Sequence, residues 1–380
     1  EITNYLLLVD MVLCVFFSVR HIKSAEGYFH YPVLLLLIFL LFSAVVGLFG
    51  NGISRDYLTE LLVTANALLL LQALSSSKPL EVSDLLWIAD AIFYAYVIFV
   101  IMVFLAPFVG IHVYTAGLNT ISSMIPFVIY LLLRKKVKFL LSALIIIYCG
   151  KRGVLLSAAV VMVTYFVWSK PTVRVSNLLG LLSICLCVVF LLWSTSSIEN
   201  VSRFYPSGQF NKIAVRIHRI NPFADDQNKL GTESSRTDEV QAVATALSED
   251  PLRAATGMGL GFVYYVDGAA KHNTHISPVI IAARYGPIFA LLFYGLIVYT
   301  LLKSYRLSKR GELGVVNSAL FFYALASFVS SFTEFSIFND ILFIFSIGSL
   351  YGSIMKLRFA HVPKPFPFQI SKRHRLRVSS

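Results

Sequence analysis

The sequence predicts an all-α polytopic membrane protein with about 11 (10–12) transmembrane helices and one large polar loop. Hydrophobic residues make up 57% of the chain, and the mean hydropathy is +0.75, above the usual range of soluble domains. Apolar runs near the length of about 20 residues that crosses a bilayer recur along the chain. Polar residues are concentrated between residues 195 and 275 and in the C-terminal tail.

The apolar runs give the expected spans in chain order. They cover residues 4–20, 32–49, 58–74, 85–109, 117–133, 138–149, 153–169, 176–194, 276–302, 315–332 and 340–356. Only Gly150-Lys151-Arg152-Gly153 separates the short run 138–149 from the next one, which predicts a tight helical hairpin with a charged tip. The chain thus divides into N-terminal transmembrane helices (1–194), a large loop with short helices (195–275), C-terminal transmembrane helices (276–356) and a basic tail (357–380).

Lysine and arginine residues predict the orientation, because short cytoplasmic loops are enriched in them. Alternate connections and the tail hold most of the 32 basic residues. This places the tail in the cytoplasm and the large loop outside, and an odd number of spans then puts the N-terminus outside. Residues 1–20 lack the basic leader and the cleavage site of a signal peptide. The net charge of +12 fits anionic lipid headgroups at the helix ends, so we expect membrane lipids as partners and no nucleic acid.

Cysteine and glycine patterns exclude several kinds of site. The four cysteines (Cys14, Cys149, Cys185, Cys187) lie in or beside apolar runs and have neither CxxC nor zinc spacing. We therefore expect packing roles for them and no zinc site. Gly257-Met258-Gly259-Leu260-Gly261 lacks the strand and the Lys-Ser/Thr of a phosphate loop, so it is expected to be a flexible turn.

Two segments of the large loop have recognisable patterns. Residues 201–219 alternate basic and apolar side chains, which fits either an amphipathic interfacial segment or a solvated loop. A helix is predicted to begin after Ser235, which pairs with Asp238 as a capping box, and to end at Asp250-Pro251. Its apolar residues recur at helical spacing. Arg236 lies in the first turn of this helix.

Three carboxylates lie inside apolar runs, where charges are costly and often functional: Asp10, Glu60 and Asp90. Proton coupling in a secondary transporter or flippase is one interpretation. A hydrogen-bonded structural role is the other, and we favour it for Asp10 and Glu60. Transport is our second hypothesis, because transporters typically show repeats or broken helices rather than one large external loop.

The strongest candidate set is Arg152, Arg236, His272 and His275, all expected near the outer face. An imidazole can accept a proton from a sugar hydroxyl near neutral pH. Guanidinium groups bind phosphates bidentately and neutralise the charge that develops on a leaving group. Together these residue types suit glycosyl transfer from a lipid diphosphate.

These motifs resemble the O-antigen polymerase and O-antigen ligase superfamily. Arg152-Gly153 stands at the outer start of a helix. Ser235-Arg236 opens an amphipathic helix that runs into Pro251 and a Gly-x-Gly turn. His275 precedes Gly286 by eleven residues. The family pattern continues after its histidine with Asn or Ser, which occurs here at His272-Asn273 instead. Spacing favours His275 as the family histidine, and local residue identity favours His272.

The resemblance implies a GT-C-like bundle in the bacterial cytoplasmic (inner) membrane, multi-pass, with a periplasmic loop. It implies a metal-independent glycosyltransferase without cofactor. The donor and acceptor are oligosaccharides on undecaprenyl diphosphate, Arg152 and Arg236 bind the diphosphate, and His275 or His272 is the base. A chain-length regulator protein is a further partner that the resemblance allows. We expect a polysaccharide polymerase, with a ligase that transfers the glycan to lipid A-core as the alternative.

Overall fold

A computed structural model describes residues 30–76, 81–105, 120–149, 152–168, 236–266, 268–272, 274, 276–332 and 337–360. Helices account for 84% of these residues, which confirms the predicted helical character. The predicted spans 4–20 and 176–194, the segment 201–219, Ser235 and the tail from residue 361 onwards lie outside the described residues. The number of eleven spans therefore stays a prediction.

Outside the polar loop, the described helices lie largely within the predicted apolar runs. They are α1 (Tyr31–Gly50), α2 (Arg55–Ser76), α3 (Val82–Leu105), α4 (Met124–Leu132), α5 (Lys136–Cys149), α6 (Arg152–Trp168), α7 (Arg236–Glu249), α8 (Pro251–Thr256), α9 (Ser277–Tyr285), α10 (Pro287–Lys309), α11 (Val315–Ser330) and α12 (Ile341–Ala360). Short 3-10 turns cover Thr120–Ser123 and Ile337–Asn339. Among the described helices, α1, α2, α3 and α10 are long and apolar enough to cross a membrane, and α4, α6, α11 and α12 are shorter apolar helices.

The predicted span 276–302 is two helices, because the chain breaks at Gly286. This glycine has φ 89° and ends α9, and Pro287 begins α10. Proline disfavours the α conformation in the residue before it, and glycine adopts positive φ without steric cost. A Cβ on Gly286 would also come within 2.8 Å of the Thr256 carbonyl oxygen. A single straight helix was therefore the wrong prediction here.

The polar loop contains a β-hairpin that the predicted set of short helices lacked. Strands β1 (Tyr264–Val266) and β2 (Ala269–Lys271) pair antiparallel, with Tyr264 opposite Lys271 and Tyr265 opposite Ala270. Strands of three residues are too short for an alternating pattern to be recognised. Asp250-Pro251 also does more than end α7, because the Asp250 carboxylate accepts a hydrogen bond from the Arg253 amide and caps α8.

The bundle has two ends that can be recognised from its contacts. At the loop end, α1 ends, α2 begins, and residues 257–261 lie against both helices. At the far end, His30 contacts the ring of Tyr351 at a centroid distance of 5.0 Å. Between them α12 packs against α2, and α11 packs against α6 and α12. Gly352 allows α12 to lie close to α2, because a Cβ there would overlap the Ser75 carbonyl oxygen.

The Asp90 carboxylate is neutralised by a lysine from a neighbouring helix. Lys138 Nζ lies 2.9 Å from Asp90 Oδ1, and the Tyr130 hydroxyl donates to the same oxygen. The ammonium group also lies over the rings of Phe93 and Tyr94, at 5.9 Å and 5.2 Å from their centroids. The Lys138–Asp90 pair, together with Tyr130, joins α3 to α4 and α5. Both charged residues therefore have a structural role.

Asp340 joins α11 to α12 at the loop end. Its carboxylate accepts hydrogen bonds from the Phe343 amide, the Ser327 hydroxyl and the Tyr323 hydroxyl, at 2.9–3.2 Å. Asp340 is thus an N-cap whose acceptor capacity is used inside the protein.

Candidate functional site

The glycine-rich turn 257–261 is fixed to the bundle, not flexible as predicted. Four consecutive backbone amides donate hydrogen bonds to neighbouring helices. The donor–acceptor distances are 2.7 Å from Met258 N to Ala283 O, 3.0 Å from Gly259 N to Arg284 O, 3.2 Å from Leu260 N to Ser43 O and 2.9 Å from Gly261 N to Glu60 Oε2. These partners lie on α9, α1 and α2. The amides that a phosphate loop would present are therefore already used for tertiary structure.

Glycine residues in the turn and in α1 allow the turn to approach the helices closely, because they have no side chain. A Cβ on Gly47 in α1 would come within 2.5 Å of Leu260 N, and one on Gly257 would come within 2.5 Å of Arg284 O. Asn51 Nδ2 donates to the carbonyls of Met258 and Leu260, at 3.0 Å and 2.9 Å. The polar loop is thus bound to the end of α1 by close backbone contacts and by the Asn51 side chain.

Four ionisable residues form a charge cluster at the loop end: Asp56, Glu60, His272 and Arg284. Arg284 Nη2 lies 2.6 Å from Glu60 Oε1, and the same nitrogen donates to the His272 carbonyl oxygen. His272 Nε2 lies 3.2 Å from Asp56 Oδ2. The cluster therefore joins α2 and α9 to the residue that follows the hairpin.

Burial differs sharply within this charge cluster. The side chains of Arg284 and Glu60 are 4% and 11% exposed, whereas those of His272 and Asp56 are 34% and 49% exposed. Arg284 Nε and His272 Nδ1 are buried and have no hydrogen-bond partner among the described residues. Because Glu60 neutralises Arg284 and Asp56 adds a further negative charge, the cluster offers no excess of positive charge to an anion.

The hairpin is held on its other side by α7. Lys271 Nζ lies 3.3 Å from Glu239 Oε1, and the Glu239 side chain is only 2% exposed. Tyr264 is buried beneath the hairpin, and its pKa is raised to about 12 by burial and by the nearby Glu239 carboxylate. The first turn of α7 is therefore next to Lys271, the residue before His272.

The predicted arginines occupy helix starts near this region. Arg236 is the first residue of α7, one turn before Glu239. Arg152 is the first residue of α6. One turn into α6, the Ser157 hydroxyl donates to Ala326 O in α11 at 2.7 Å. The start of α6 therefore lies beside the end of α11. The side chains of Arg152 and Arg236 are outside the described part of the structure.

The end of α11 leads on to the predicted histidines. Ser331 O, just past α11, accepts a hydrogen bond from the Ser277 amide at the start of α9, at 2.9 Å. Ser277 follows His275 by two residues. His275 and Asn273 lie outside the described residues, whereas Thr274 between them is fully buried. The structure thus places the starts of α6, α7 and α9 at one end of the bundle.

Sequence reasoning missed two of the four residues of the charge cluster, Arg284 and Asp56. Arg284 was not singled out, although it is the only charged residue in the apolar run 276–302, and that isolation was a usable signal. Glu60 was assigned a structural role, and both of its oxygens have partners. Asp56 gave no signal, because an acidic residue in the first turn of a helix is common.

No family model, no curated protein and no solved structure matches this chain. The geometry of the loop end is therefore the basis for a functional interpretation.

Proposed function

We propose that this protein is a polysaccharide polymerase of the bacterial inner membrane, with the loop end facing the periplasm. It transfers a glycan from undecaprenyl diphosphate to the next lipid-linked repeat unit. The observation that carries the proposal is the convergence of three helix starts on one end of an apolar bundle. These are the starts of α6 at Arg152, of α7 at Arg236 and of α9, which follows His275.

Arg152 and Arg236 bind the donor diphosphate in this proposal. A guanidinium group matches two phosphate oxygens at once and stays charged at any physiological pH. Each arginine is also the first residue of a helix, where the positive end of the helix dipole favours an anion. The charge cluster does not compete for this role, because Arg284 is already neutralised by Glu60.

His275 is the general base, and His272 positions the segment that carries it. Neither ring nitrogen of His272 is open to a substrate hydroxyl, because Nε2 faces Asp56 and Nδ1 is buried. The His272 carbonyl oxygen accepts a hydrogen bond from Arg284, and His272 precedes His275 by three residues. These contacts support a positioning role for His272.

The transfer step balances as a single displacement. The acceptor hydroxyl oxygen forms a bond to the anomeric carbon, while the bond from that carbon to the diphosphate oxygen breaks. The hydroxyl proton passes to His275, and the lipid diphosphate leaves with its negative charge neutralised by the two arginines. The proton and the leaving group are both accounted for by residues of this chain.

The lipid-linked glycans of cells that lack the protein test this function. Accumulation of single repeat units supports a polymerase. Accumulation of long chains on the lipid carrier indicates a ligase that transfers to lipid A-core. An unchanged glycan profile with lost solute uptake indicates a transporter and contradicts the proposal.

A further inference from the structure

Strand β1 of the hairpin has one buried face and one exposed face. Tyr264 and Val266 are buried, at 1% and 5% exposure, whereas Tyr265 between them is 67% exposed. Ala270 lies opposite Tyr265, on the same face of the hairpin, and it is exposed as well. Because alanine is small, one side of the tyrosine ring is left accessible across the strand pair.

The exposed face leads directly to the charge cluster. Strand β2 ends at Lys271, and His272 directly follows it. His272 Nε2 lies 3.2 Å from Asp56 Oδ2. Tyr265 therefore lies on the hairpin that leads into the charge cluster.

The position of Tyr265 is fixed by contacts on both sides of the hairpin. Lys271 is paired with the buried Glu239 of α7, and the carbonyl of His272 is held by Arg284 of α9. Tyr264 packs its ring 6.2 Å from that of Phe262. An aromatic side chain on a backbone that is already ordered loses little further entropy when a ligand covers it.

We propose that Tyr265 is the stacking surface for a sugar ring of the acceptor repeat unit. This inference rests on the proposed polymerase function. A pyranose has an apolar face of C–H groups and a rim of hydroxyls, so its apolar face is buried against an aromatic ring while its hydroxyls stay hydrated. Tyr265 is the only large apolar side chain on the exposed face of the described strands, so this face offers no continuous apolar patch to lipid.

Steady-state turnover of a purified lipid-linked repeat by the full-length protein tests this role. We expect Tyr265→Ala to raise the KM for the acceptor about tenfold, as loss of one stacking contact typically does. The kcat should stay near the wild-type value, because Tyr265 touches none of the reacting atoms. Tyr265→Phe and Tyr265→Trp should keep the wild-type KM, because both retain the aromatic face.

Tyr31→Ala is the matched control, since Tyr31 is 84% exposed at the far end of the bundle. It should leave both constants unchanged. A wild-type KM in Tyr265→Ala contradicts the stacking role. Lower membrane yield or lower thermal stability without a change in KM assigns Tyr265 to the membrane interface and also contradicts it. Absence of turnover in the wild-type protein is a different result, because it contradicts the polymerase function itself.

Discussion

Arg284 Nη2 and Glu60 Oε1 lie 2.6 Å apart in a region that excludes almost all solvent. The other carboxylate oxygen of Glu60 accepts a hydrogen bond from the Gly261 amide, and Arg284 donates a hydrogen bond to the His272 carbonyl oxygen. One ion pair therefore connects α2, α9, the glycine turn and the residue after the hairpin. Its removal should affect the loop end as a unit.

Breaking this ion pair should destabilise the protein strongly. Arg284→Met leaves the Glu60 carboxylate buried without a counter-ion, which typically costs about 3–5 kcal/mol. The double variant Glu60→Gln/Arg284→Met should recover part of this loss. Thermal unfolding in detergent measures both. Arg310→Ala is the control, because its pair with Glu312 is 3.8 Å apart and exposed, and it should change stability by less than about 0.5 kcal/mol. An equal loss of stability in Arg284→Met and Arg310→Ala would contradict the claim that burial makes the Arg284–Glu60 pair important.

The histidines should differ in their effect on turnover. His275→Ala removes the proposed base and should lower the rate by about 10²–10⁴. His272→Ala should cause a partial loss, because it removes only the contact with Asp56. His218→Ala serves as the control and should be fully active, because His218 lies in the segment 201–219, far in sequence from the start of α9. Turnover of a purified lipid-linked repeat, with folding checked by thermal melting, measures all three. Full activity in His275→Ala with loss in His272→Ala would transfer the base role to His272.

Arg152 and Arg236 should not tolerate lysine. The variants Arg152→Lys and Arg236→Lys keep the positive charge but lose the planar pair of donors that matches a diphosphate. Both should lower polymer formation severely while membrane expression stays normal. Gel analysis of the glycan in complemented cells measures this. Polymer of normal length in either variant would remove that arginine from the site.

Gly47→Ala should disturb the loop end, because its Cβ would lie 2.5 Å from the Leu260 amide nitrogen. A shift of the backbone on one side is the only way to relieve this overlap, so we expect a lower melting temperature and lower turnover. Gly295→Ala is the matched control in another apolar helix, where no atom lies within 4 Å of the added Cβ. It should stabilise α10 by about 0.5–1 kcal/mol. A Gly47→Ala protein as stable as the wild type would contradict the close backbone contact.

The polar loop and the tail should lie on opposite sides of the membrane. Single cysteines at Gly231 and Ser371, in a chain without its four native cysteines, can be labelled in intact spheroplasts with an impermeant reagent. We expect labelling at Gly231 and protection at Ser371. The reverse pattern would invert the topology and contradict a periplasmic reaction.

The helices were predictable because hydrophobic runs, breaks and charged turns are local features of the chain. The predicted run 138–149 matches α5 (Lys136–Cys149), and 315–332 matches α11 (Val315–Ser330) within two residues. The break at Gly286 was visible in principle, since Gly-Pro is a strong helix-ending signal. Hydropathy alone does not show this break, because apolar runs lie on both sides of it.

The site was less predictable, because its contacts join residues that are far apart in sequence. Asp56 and Glu60 reach His272 and Arg284 across more than two hundred residues, and no local pattern indicates such pairs. The glycine turn was recognised, but it was expected to be flexible, whereas its amides bind it to the bundle. Which carbonyls accept a backbone amide depends on the tertiary packing alone.

The close backbone contacts of residues 257–261 also limit where a reporter can be inserted at the loop end. Added residues there would push α1 away from α9, because neither helix leaves space for even a methyl group. Gly52 lies in the short connection between α1 and α2 and adopts φ +72°. A Cβ added to Gly52 would have no neighbouring heavy atom within 4 Å. An epitope or fluorescent tag is therefore better placed at Gly52, beside the candidate site, than within the glycine turn.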